Sequence, residues 1–407
     1  IDLSEETRIN STKQECDEYY KDKLYDKDGK KLNFVSECFY LMLTYLQYGL
    51  GGVIVSYNKK KKHIKQIKEQ ITSMKQILEK GNQGNVLAQR LVNMRLAPME
   101  AKLKELQNDI YSIEMFFQAR TFQLEVFDVI VGICEFLVRL IDSKHAYHSK
   151  IGSFFPYLQI PLNNFDNEVE KLDDIEYLRK LAPVPFKYYP EIYIEGLINY
   201  CHFISKFTNN PMIDNNVKLT KLIEFSVILL RCPELLSNPH LKARLTEVLF
   251  FGSLPMQSNN GEINGFMIGI FNDEETIQKN LLISLLDFYV MVEKTGASSQ
   301  FYDKFNSRYH ISFIIEKLWK FDIFKKDLRV IATKNQKFFI RFVARMLNDT
   351  TYLLDESLNH LHTIHNCQKE LNLRSRGVKT DNEESDEDIN KKLQESERMA
   401  KSFVQLS

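Results

Sequence analysis

Three histidines and a cysteine near the C-terminal end of the sequence have the residue types of a metal site, in the pattern His360-x-His362-x-x-His365-x-Cys367. A bound metal ion needs ligand atoms that converge on it at about 2.0–2.3 Å. On a helix each residue turns the chain by about 100°, so His360 and Cys367 point one way and His362 and His365 point nearly the opposite way. We therefore predict packed and surface side chains here, with metal binding by one i,i+3 pair of histidines as the alternative.

No other local pattern supports a catalytic or cofactor site. The sequence contains no Walker loop, no H-E-x-x-H and no G-x-S-x-G. Gly49 and Gly51 lack the third glycine of a dinucleotide-binding fingerprint, because Ile54 stands in its place. The six cysteines are far apart, without a C-x-x-C pair or a recognisable histidine partner, which indicates buried free thiols in a reducing compartment. The sequence therefore predicts no catalytic residue, no cofactor-binding residue and no metal ligand.

A basic run, 59–62, is extended by Lys65 and Lys68. We interpret it as the solvated face of a helix, because no aromatic residues are interleaved to stack on bases. Binding of an acidic protein or of lipid headgroups is the alternative. Lysine plus arginine number 54 and aspartate plus glutamate number 54, so no overall field attracts nucleic acid, and no nucleic-acid partner is predicted.

The stretch from Cys38 to Asn58 contains no charged residue and is followed at once by that basic run. An uncharged stretch of about twenty residues with a basic flank is typical of a membrane span. The stretch also holds four tyrosines and three glycines, which a buried protein helix accommodates better than lipid does. We predict a core helix and no membrane span.

The chain that positions these residues is predicted to be helical almost throughout. Apolar side chains recur every three or four residues from Ile64 to Leu78, and a second stripe follows Pro98, from Met99 to Phe117. The glycine-containing break at 81–84 between them predicts an antiparallel helical hairpin, with a coiled-coil dimer as the alternative.

Start and stop signals subdivide the rest of the chain. Asn238 ahead of Pro239 predicts a helix N-cap, and Asp349 is predicted to cap another helix. The best strand candidate, 263–271, is short and glycine-rich and is predicted to be a loop. Six acids within residues 381–388 predict a solvated, mobile loop.

These patterns predict an all-α fold: an irregular armadillo/HEAT-like α-solenoid, built as an elongated rod of helical hairpins. No strict repeat of about 33 or 34 residues supports a regular repeat array. The predicted organisation is a first part with the long hairpin, a proline-rich connection, a part with armadillo-like repeats, an acidic mobile loop and the start of a last helix. The corresponding residues are 1–152, 153–190, 191–371, 372–388 and 389–407.

Six segments together resemble the core of the ubiquitin-chain elongation factors, which are U-box ubiquitin ligases. They occur in family order over nearly the whole chain, so the resemblance is specific. The segments are ETRIN at 6–10, NFVSECFYL at 33–41, PEIYIE at 190–195, NPHLKARL at 238–245, QFYDKFNSRYHIS at 300–312 and NDTTYLLDESL at 348–358.

The resemblance implies a scaffold that positions a charged ubiquitin-conjugating enzyme against an already ubiquitinated substrate, in ubiquitin-dependent protein degradation. It implies cytoplasmic and nuclear localisation, and a segregase ATPase and proteasome shuttle factors as further partners. The family's variable N-terminal region and its C-terminal U-box are expected outside this chain, which should be a monomer and inactive alone. The alternative is a non-enzymatic helical-repeat adaptor that binds partner proteins in its groove.

Asp303, Lys304 and Arg308 are the charged residues of the fifth segment. Asp303 and Arg308 lie five residues apart, which does not place them together on one helix face. We predict that these side chains tie loops between helices and do not act on a substrate.

Overall fold

The structure is a computed structural model that describes residues 3–21, 33–80, 86–141, 175–207, 209–258, 261–292, 301–377 and 384–406. Of these residues 83% are helical, which confirms the all-α prediction. The chain divides into two compact units, one comprising Ile1–Gln159 and Asp174–Gln278 and the other Ile160–Asp173 and Lys279–Ser407. The armadillo/HEAT-like course and the elongated rod stay predictions.

The first unit holds ten of the α-helices that the structure describes. They are α1 (Lys13–Lys21), α2 (Phe34–Tyr45), α3 (Gly51–Lys80), α4 (Val86–Phe117), α5 (Arg120–Ile141), α6 (Ile175–Leu181), α7 (Ile192–Ile204), α8 (Asn216–Arg231), α9 (Pro239–Ser253) and α10 (Ile268–Asp273). A π-helical turn, Leu46–Leu50, joins α2 to α3, and a 3₁₀ turn, Phe186–Tyr188, precedes α7. The next helix, α11 (Glu275–Met291), crosses the division between the units.

Helices α3 and α4 form the predicted antiparallel hairpin. Ion pairs across it run in opposite directions along the two helices, since Lys61 pairs with Glu114 and Lys75 with Glu100. Its core is made by apolar side chains from both stripes: Ile64, Ile67, Ile71 and Met74 from α3, and Leu96, Met99, Leu103 and Leu106 from α4. Helix α4 begins twelve residues before Pro98 and continues through it.

The uncharged stretch is a helix with one buried face. Its inward side chains recur at helical spacing: Leu43, Leu46, Leu50, Ile54 and Tyr57. The opposite face is apolar and exposed, and Leu41 and Tyr45 are 59% and 61% accessible. The prediction of a core helix therefore holds for one face only. Among the described residues one segment, Phe34–Gln76, is long and apolar enough to span a membrane. Of the 18-residue apolar stretch within it, 33% is buried.

Helix α7 lies at the centre of the first unit. Eleven of its thirteen residues are buried, as expected for a helix that is apolar on all sides. It packs on α2, the π turn, α3 and α9. The contact with the π turn is backbone against backbone, because a Cβ atom at Gly196 would lie 2.9 Å from the Gln47 nitrogen. Only glycine permits this approach without displacing one of the two elements.

The segment predicted as a proline-rich connection, 153–190, belongs in its described part to the first unit. Residues 153–174 lie outside the described residues. Phe186 is completely buried, and Arg8 and Pro190 form an isolated antiparallel bridge. Within the described residues the compact units divide between Gln278 and Lys279, and the predicted organisation of the chain into five parts stays a prediction. Prolines here shape a packed turn, which composition alone does not distinguish from a linker.

The predicted loop at 263–271 is replaced by ordered elements. Ile263 closes a two-stranded antiparallel hairpin of β1 (Met256–Ser258) and β2 (Gly261–Ile263). Three-residue strands are too short to show an alternating pattern. The second part of the segment enters α10. The N-cap prediction for α9 is confirmed, because the Asn238 side chain accepts a hydrogen bond from the His240 amide at 2.9 Å.

The second unit contains α12 (Phe301–Leu318), α13 (Asp322–Lys334), α14 (Gln336–Ser375) and α15 (Asp386–Leu406). Helix α15 packs along α14 and also contacts α12. Phe305, Leu353 and Phe403, one from each of these three helices, form a buried cluster with Met399 packed against it. Through this cluster the three helices contact one another at one position along their lengths.

The acidic loop is shorter than the predicted 372–388, and residues 378–383 lie outside the described part. Helix α14 continues to Ser375, and α15 already begins at Asp386. The acids of the first turn of α15 lie where the helix dipole favours negative charge. Arg374 Nη1 donates to the carboxylate of Asp386 at 2.8 Å and to the carbonyl oxygen of Glu384 at 2.7 Å.

We expect Gly196→Ala to destabilise the first unit by about 1–3 kcal/mol, because the new methyl group must push α7 away from the π turn. The matched control is Gly132→Ala, in an exposed position of α5 where no atom lies within 4 Å of the new Cβ. That substitution should stabilise the helix by about 0.5–1 kcal/mol. Thermal unfolding followed by circular dichroism measures both. A Gly196→Ala midpoint equal to that of Gly132→Ala would contradict the close approach.

Candidate functional site

The first unit contains an open cleft of about 970 Å³ that three of the family-like segments line. We call it the tyrosine cleft, because five of its lining residues are tyrosines: Tyr20, Tyr40, Tyr188, Tyr189 and Tyr193. Helix α1 forms one side, and the 3₁₀ turn with the start of α7 forms the other. The segments at 6–10, 33–41 and 190–195 contribute Arg8, Tyr40 and Pro190 with Tyr193.

A short backbone ladder holds the cleft together. The amide of Ile9 donates to the Tyr189 carbonyl at 3.0 Å, and the amide of Glu191 donates to the Thr7 carbonyl at 2.8 Å. The Asn10 amide adds a third bond, to the Lys187 carbonyl at 3.2 Å. These bonds join residues that are about 180 positions apart in sequence, so no local pattern predicts them.

Buried amide side chains tie this ladder to the rest of the unit. Asn10 is buried, and its Nδ2 donates to the carbonyl oxygen of Glu234 at 2.6 Å. Asn238, the N-cap of α9, donates through its own Nδ2 to the Glu191 carboxylate. The segments 6–10, 190–195 and 238–245 are therefore parts of one hydrogen-bonded assembly.

Tyrosine rings make up the apolar surface of the cleft. Tyr188 stacks on Tyr19 with ring centroids 4.4 Å apart. The hydroxyls of Tyr40 and Tyr189 are hydrogen-bonded at 2.8 Å, and both rings lie near Tyr193. Burial raises the pKa of Tyr188, Tyr189 and Tyr193 above the ordinary value, so these hydroxyls are neutral at physiological pH.

Arg8 brings a positive charge to the cleft. Its side chain is half-buried, and its Nη2 donates to the Ser4 carbonyl at 3.4 Å. Its Nε is buried without a hydrogen-bond partner among the described residues. Burial raises the pKa of Cys16 and Tyr193, and the guanidinium charge of Arg8, which lines the same cleft, partly offsets that rise in each.

The second unit has a buried ion pair that joins the two longest family-like segments. Arg308 Nη1 lies 2.6 Å from Asp349 Oδ2, and the two side chains are only 3% and 4% accessible. The guanidinium stacks 4.9 Å from the centroid of the Tyr289 ring, and its Nε donates to the Tyr289 carbonyl at 3.2 Å. The Tyr289 hydroxyl donates to the same carboxylate at 3.3 Å. Three helices thus share one polar contact in an apolar interior.

Two predictions about this region need correction. Asp349 does not cap a helix, because it lies well inside α14 and is buried. Arg308 does not tie a loop, because it lies inside α12. The prediction that Arg308 has a structural role stays a prediction. Lys304 lies over the Phe305 ring at 5.0 Å, and the side chain of Asp303 lies outside the described part.

The histidine–cysteine cluster is spread around α14. His360 stacks on Phe403 of α15 with centroids 5.6 Å apart, and Cys367 is buried. His362 and His365 are exposed. Within the described ranges no group of three or more histidine, cysteine, aspartate or glutamate side chains could hold a metal ion.

Part of the basic run is engaged in the long hairpin. Lys60 pairs with Asp109, and Lys61 lies 3.7 Å from Glu114. The Tyr57 hydroxyl donates to the same Glu114 carboxylate at 2.5 Å. The side chains of Lys65 and Lys68 are exposed, as a solvated helix face requires.

Sequence reasoning missed the tyrosine cleft and the Arg308–Asp349 pair. One signal for the cleft was available, because adjacent tyrosines occur twice, at 19–20 and at 188–189, the second pair directly before Pro190. For the ion pair no local signal was available, because each segment contains three charged residues and nothing in the sequence singles out one of them. These residues are Asp303, Lys304 and Arg308 in one segment and Asp349, Asp355 and Glu356 in the other.

Comparison with known proteins matches the chain to one protein family over residues 1–407, described as the ubiquitin elongating factor core. The E4 ubiquitin-protein ligase UFD2 of Saccharomyces cerevisiae is 46% identical over 410 residues, covering 100% of this chain and 41% of that protein. The ubiquitin conjugation factor E4 of Schizosaccharomyces pombe is 28% identical over 410 residues, covering 100% of the chain and 37% of the relative. A probable ubiquitin conjugation factor E4 of Arabidopsis thaliana is 31% identical over 195 residues, covering 48% of the chain and 18% of the relative. The chain thus spans about two fifths of the length of the two relatives that match it throughout.

We expect Asp349→Ala to destabilise the second unit by about 3–5 kcal/mol, because it leaves the Arg308 charge buried without its carboxylate. Replacing both partners by apolar residues, Arg308→Met with Asp349→Leu, should recover most of that loss. Chemical denaturation measures the free energy of unfolding of each variant. Asp355→Ala, at an exposed position of the same helix, is the control and should change it by less than about 0.5 kcal/mol. Equal effects of Asp349→Ala and Asp355→Ala would contradict a buried pair.

Proposed function

The chain belongs to the ubiquitin elongating factor core family, and from this premise we propose that it is the scaffold of a ubiquitin-chain elongating ligase. In that role it holds a charged ubiquitin-conjugating enzyme near a ubiquitin that is already attached to a substrate. The chemistry takes place on the conjugating enzyme. The scaffold contributes proximity and orientation, which can supply about 7–11 kcal/mol of a reaction barrier when both reactants are held rigidly.

The observation that carries the proposal is the match to the S. cerevisiae ligase over the entire chain at 46% identity. The name of that relative describes an E4 ubiquitin-protein ligase, and this chain corresponds to 41% of its length. A segment of that extent can fix the distance between other parts of a ligase without performing chemistry itself.

The state of the cysteines supports a scaffold over a covalent ubiquitin carrier. A ligase that carries ubiquitin as a thioester needs an accessible cysteine that forms a thiolate. Five of the six cysteines are buried and Cys38 is half-buried. Burial raises the pKa of Cys201 to about 12 and also raises the pKa of Cys134 and Cys232 well above the ordinary value. These thiols are protonated at physiological pH and shielded from a partner.

The buried polar contacts support a rigid scaffold. The Arg308–Asp349 pair joins two helices of the second unit, and the Asn10 side chain joins the segment before α1 to the turn after α8. Buried hydrogen-bonded groups favour one arrangement over slipped ones, because a slip leaves a charge or amide unsatisfied.

A non-enzymatic adaptor that binds partners in a helical groove is the second candidate, favoured by the open tyrosine cleft. As parts of the main proposal, the partners are the conjugating enzyme, ubiquitinated substrates, a segregase ATPase and proteasome shuttle factors. The protein would act as a monomer in the cytoplasm and nucleus, in protein degradation.

A chimera of this chain with the S. cerevisiae ligase tests the scaffold proposal directly. The 410 residues of the S. cerevisiae ligase that match this chain are replaced by residues 1–407, and chain extension is followed on a ubiquitin-fused substrate with the ubiquitin-activating and ubiquitin-conjugating enzymes present. The chimera should extend chains, because an equivalent scaffold restores the geometry. The 407-residue chain alone should not accelerate discharge of ubiquitin from the conjugating enzyme to free lysine.

Two controls separate the candidates. The S. cerevisiae ligase without its matching segment should lose extension, and the chimera carrying Asp349→Ala should lose it in parallel with its stability. A folded chimera that binds the substrate but does not extend chains would favour the adaptor. Rapid ubiquitin discharge by the 407-residue chain alone would show a catalytic element in it and would refute a pure scaffold.

A further inference from the structure

We propose that the tyrosine cleft is a docking site for an extended acidic peptide of a partner protein, in which one carboxylate binds Arg8 and a neighbouring aromatic or proline side chain packs on the tyrosine rings. The inference rests on the geometry of the cleft and does not depend on the proposed function.

Arg8 defines the anionic part of the ligand. Its Nε is a buried donor without a partner among the described residues, and none of their carboxylates forms an ion pair with it. The half-buried guanidinium lines the cleft, so an incoming carboxylate can form an ion pair with its accessible part. A guanidinium presents a planar fork of N–H groups that matches the two oxygens of a carboxylate, so a single acidic side chain fits this position.

The tyrosine rings define the apolar part. Tyr188 and Tyr20 approach each other with centroids 6.1 Å apart where the 3₁₀ turn meets α1, while Tyr40 and Tyr189 stack at 6.2 Å. Grooves lined by aromatic rings bind proline and aromatic side chains of extended peptides, because the rings offer flat apolar area and their hydroxyls bind backbone groups. The cleft is open to solvent, which suits a chain that enters and leaves at its ends.

The remaining charges limit how acidic the ligand can be. Asp17 and Glu18, both exposed, lie on the α1 side of the cleft. Lys13 and the exposed Lys21 also line the cleft, and Lys13 is paired with Glu5 at 2.5 Å. A nucleic acid or an anionic membrane would bring several negative charges against these carboxylates. The arrangement therefore favours a peptide with one acidic residue at Arg8 over a polyanion.

The test uses the 407-residue chain and an octapeptide library with a fixed central aspartate and no cysteine. We expect the bound peptides to be enriched in aromatic residues or proline within two positions of that aspartate. The best peptide is then labelled with fluorescein, and its affinity is measured by fluorescence anisotropy. Arg8→Gln should weaken binding at least about tenfold. The control, Arg95→Gln at an exposed position of α4, should leave it unchanged.

A double-mutant cycle with the peptide identifies the contact. Changing the peptide aspartate to asparagine should weaken binding to the wild-type chain by the same factor as Arg8→Gln, and should add nothing when Arg8 is already replaced. If Arg8→Gln lowers the thermal midpoint by more than about 2 °C, its affinity no longer tests the contact. Two other measurements then replace it: the asparagine peptide on the wild-type chain, and the aspartate peptide on the rim variant Tyr20→Ala. Both should show weaker binding.

Several outcomes would overturn the proposal. Absence of enrichment, equal binding of the aspartate and asparagine peptides, or equal affinities of Arg8→Gln and Arg95→Gln would each show that no carboxylate binds at Arg8. Tighter capture of a matching phosphoserine library, lost in Arg8→Gln, would assign the anion to phosphate. Binding of vesicles with anionic lipid in place of any peptide would assign the surface to a membrane.

Discussion

The hydrogen bond from the buried side chain of Asn10 to the Glu234 carbonyl is the contact on which the first unit's N-terminal architecture depends. It fixes a segment before α1 against the turn that follows α8. Because residues 7–10 of that segment pair with the backbone of 187–191, the same bond sets the position of the 3₁₀ turn and the start of α7. The cleft between α1 and the tyrosines of 188–193 follows from this placement. An apolar side chain at Asn10 would remove this hydrogen bond and weaken the placement of both the segment before α1 and the turn after α8.

Local patterns predicted the parts of the fold that depend on neighbours in sequence. The stripe from Ile64 to Met74 became one side of the hairpin core, and Asn238 became an N-cap, because helical spacing and capping act over three or four residues. The prediction that Asp349 caps a helix was wrong, because capping patterns describe only neighbours in sequence. An aspartate that ends one helix and one that meets a distant arginine look alike locally, and only the approach of Arg308, forty-one residues earlier, distinguishes them. The ladder between 7–10 and 187–191 was equally invisible, since its partners are brought together by the whole unit.

The uncharged segment shows a different limit of sequence reasoning. Absence of charge predicted a core helix, yet the structure buries one face of it, which includes Leu43, Leu50 and Tyr57. Burial follows from what packs against a helix, and α7 contacts one face of this one through Gly196. The opposite face, with Phe34 76% accessible, is apolar without being core. Composition shows which surfaces can be buried at low cost. It does not show whether the chain supplies a second element that packs on them.

The chemistry of the tyrosine cleft makes its charge state nearly independent of pH. Arginine stays protonated at any physiological pH, and burial raises the pKa of Tyr188, Tyr189 and Tyr193, so the rings stay neutral well above pH 7. A carboxylate at Arg8 is therefore the only group of the proposed contact that titrates. Its pKa falls when it pairs with the guanidinium, so binding should hold from neutral pH down to about pH 4 and weaken as the free carboxyl takes up its proton. A histidine in the place of Arg8 would make the same contact fail within the physiological range.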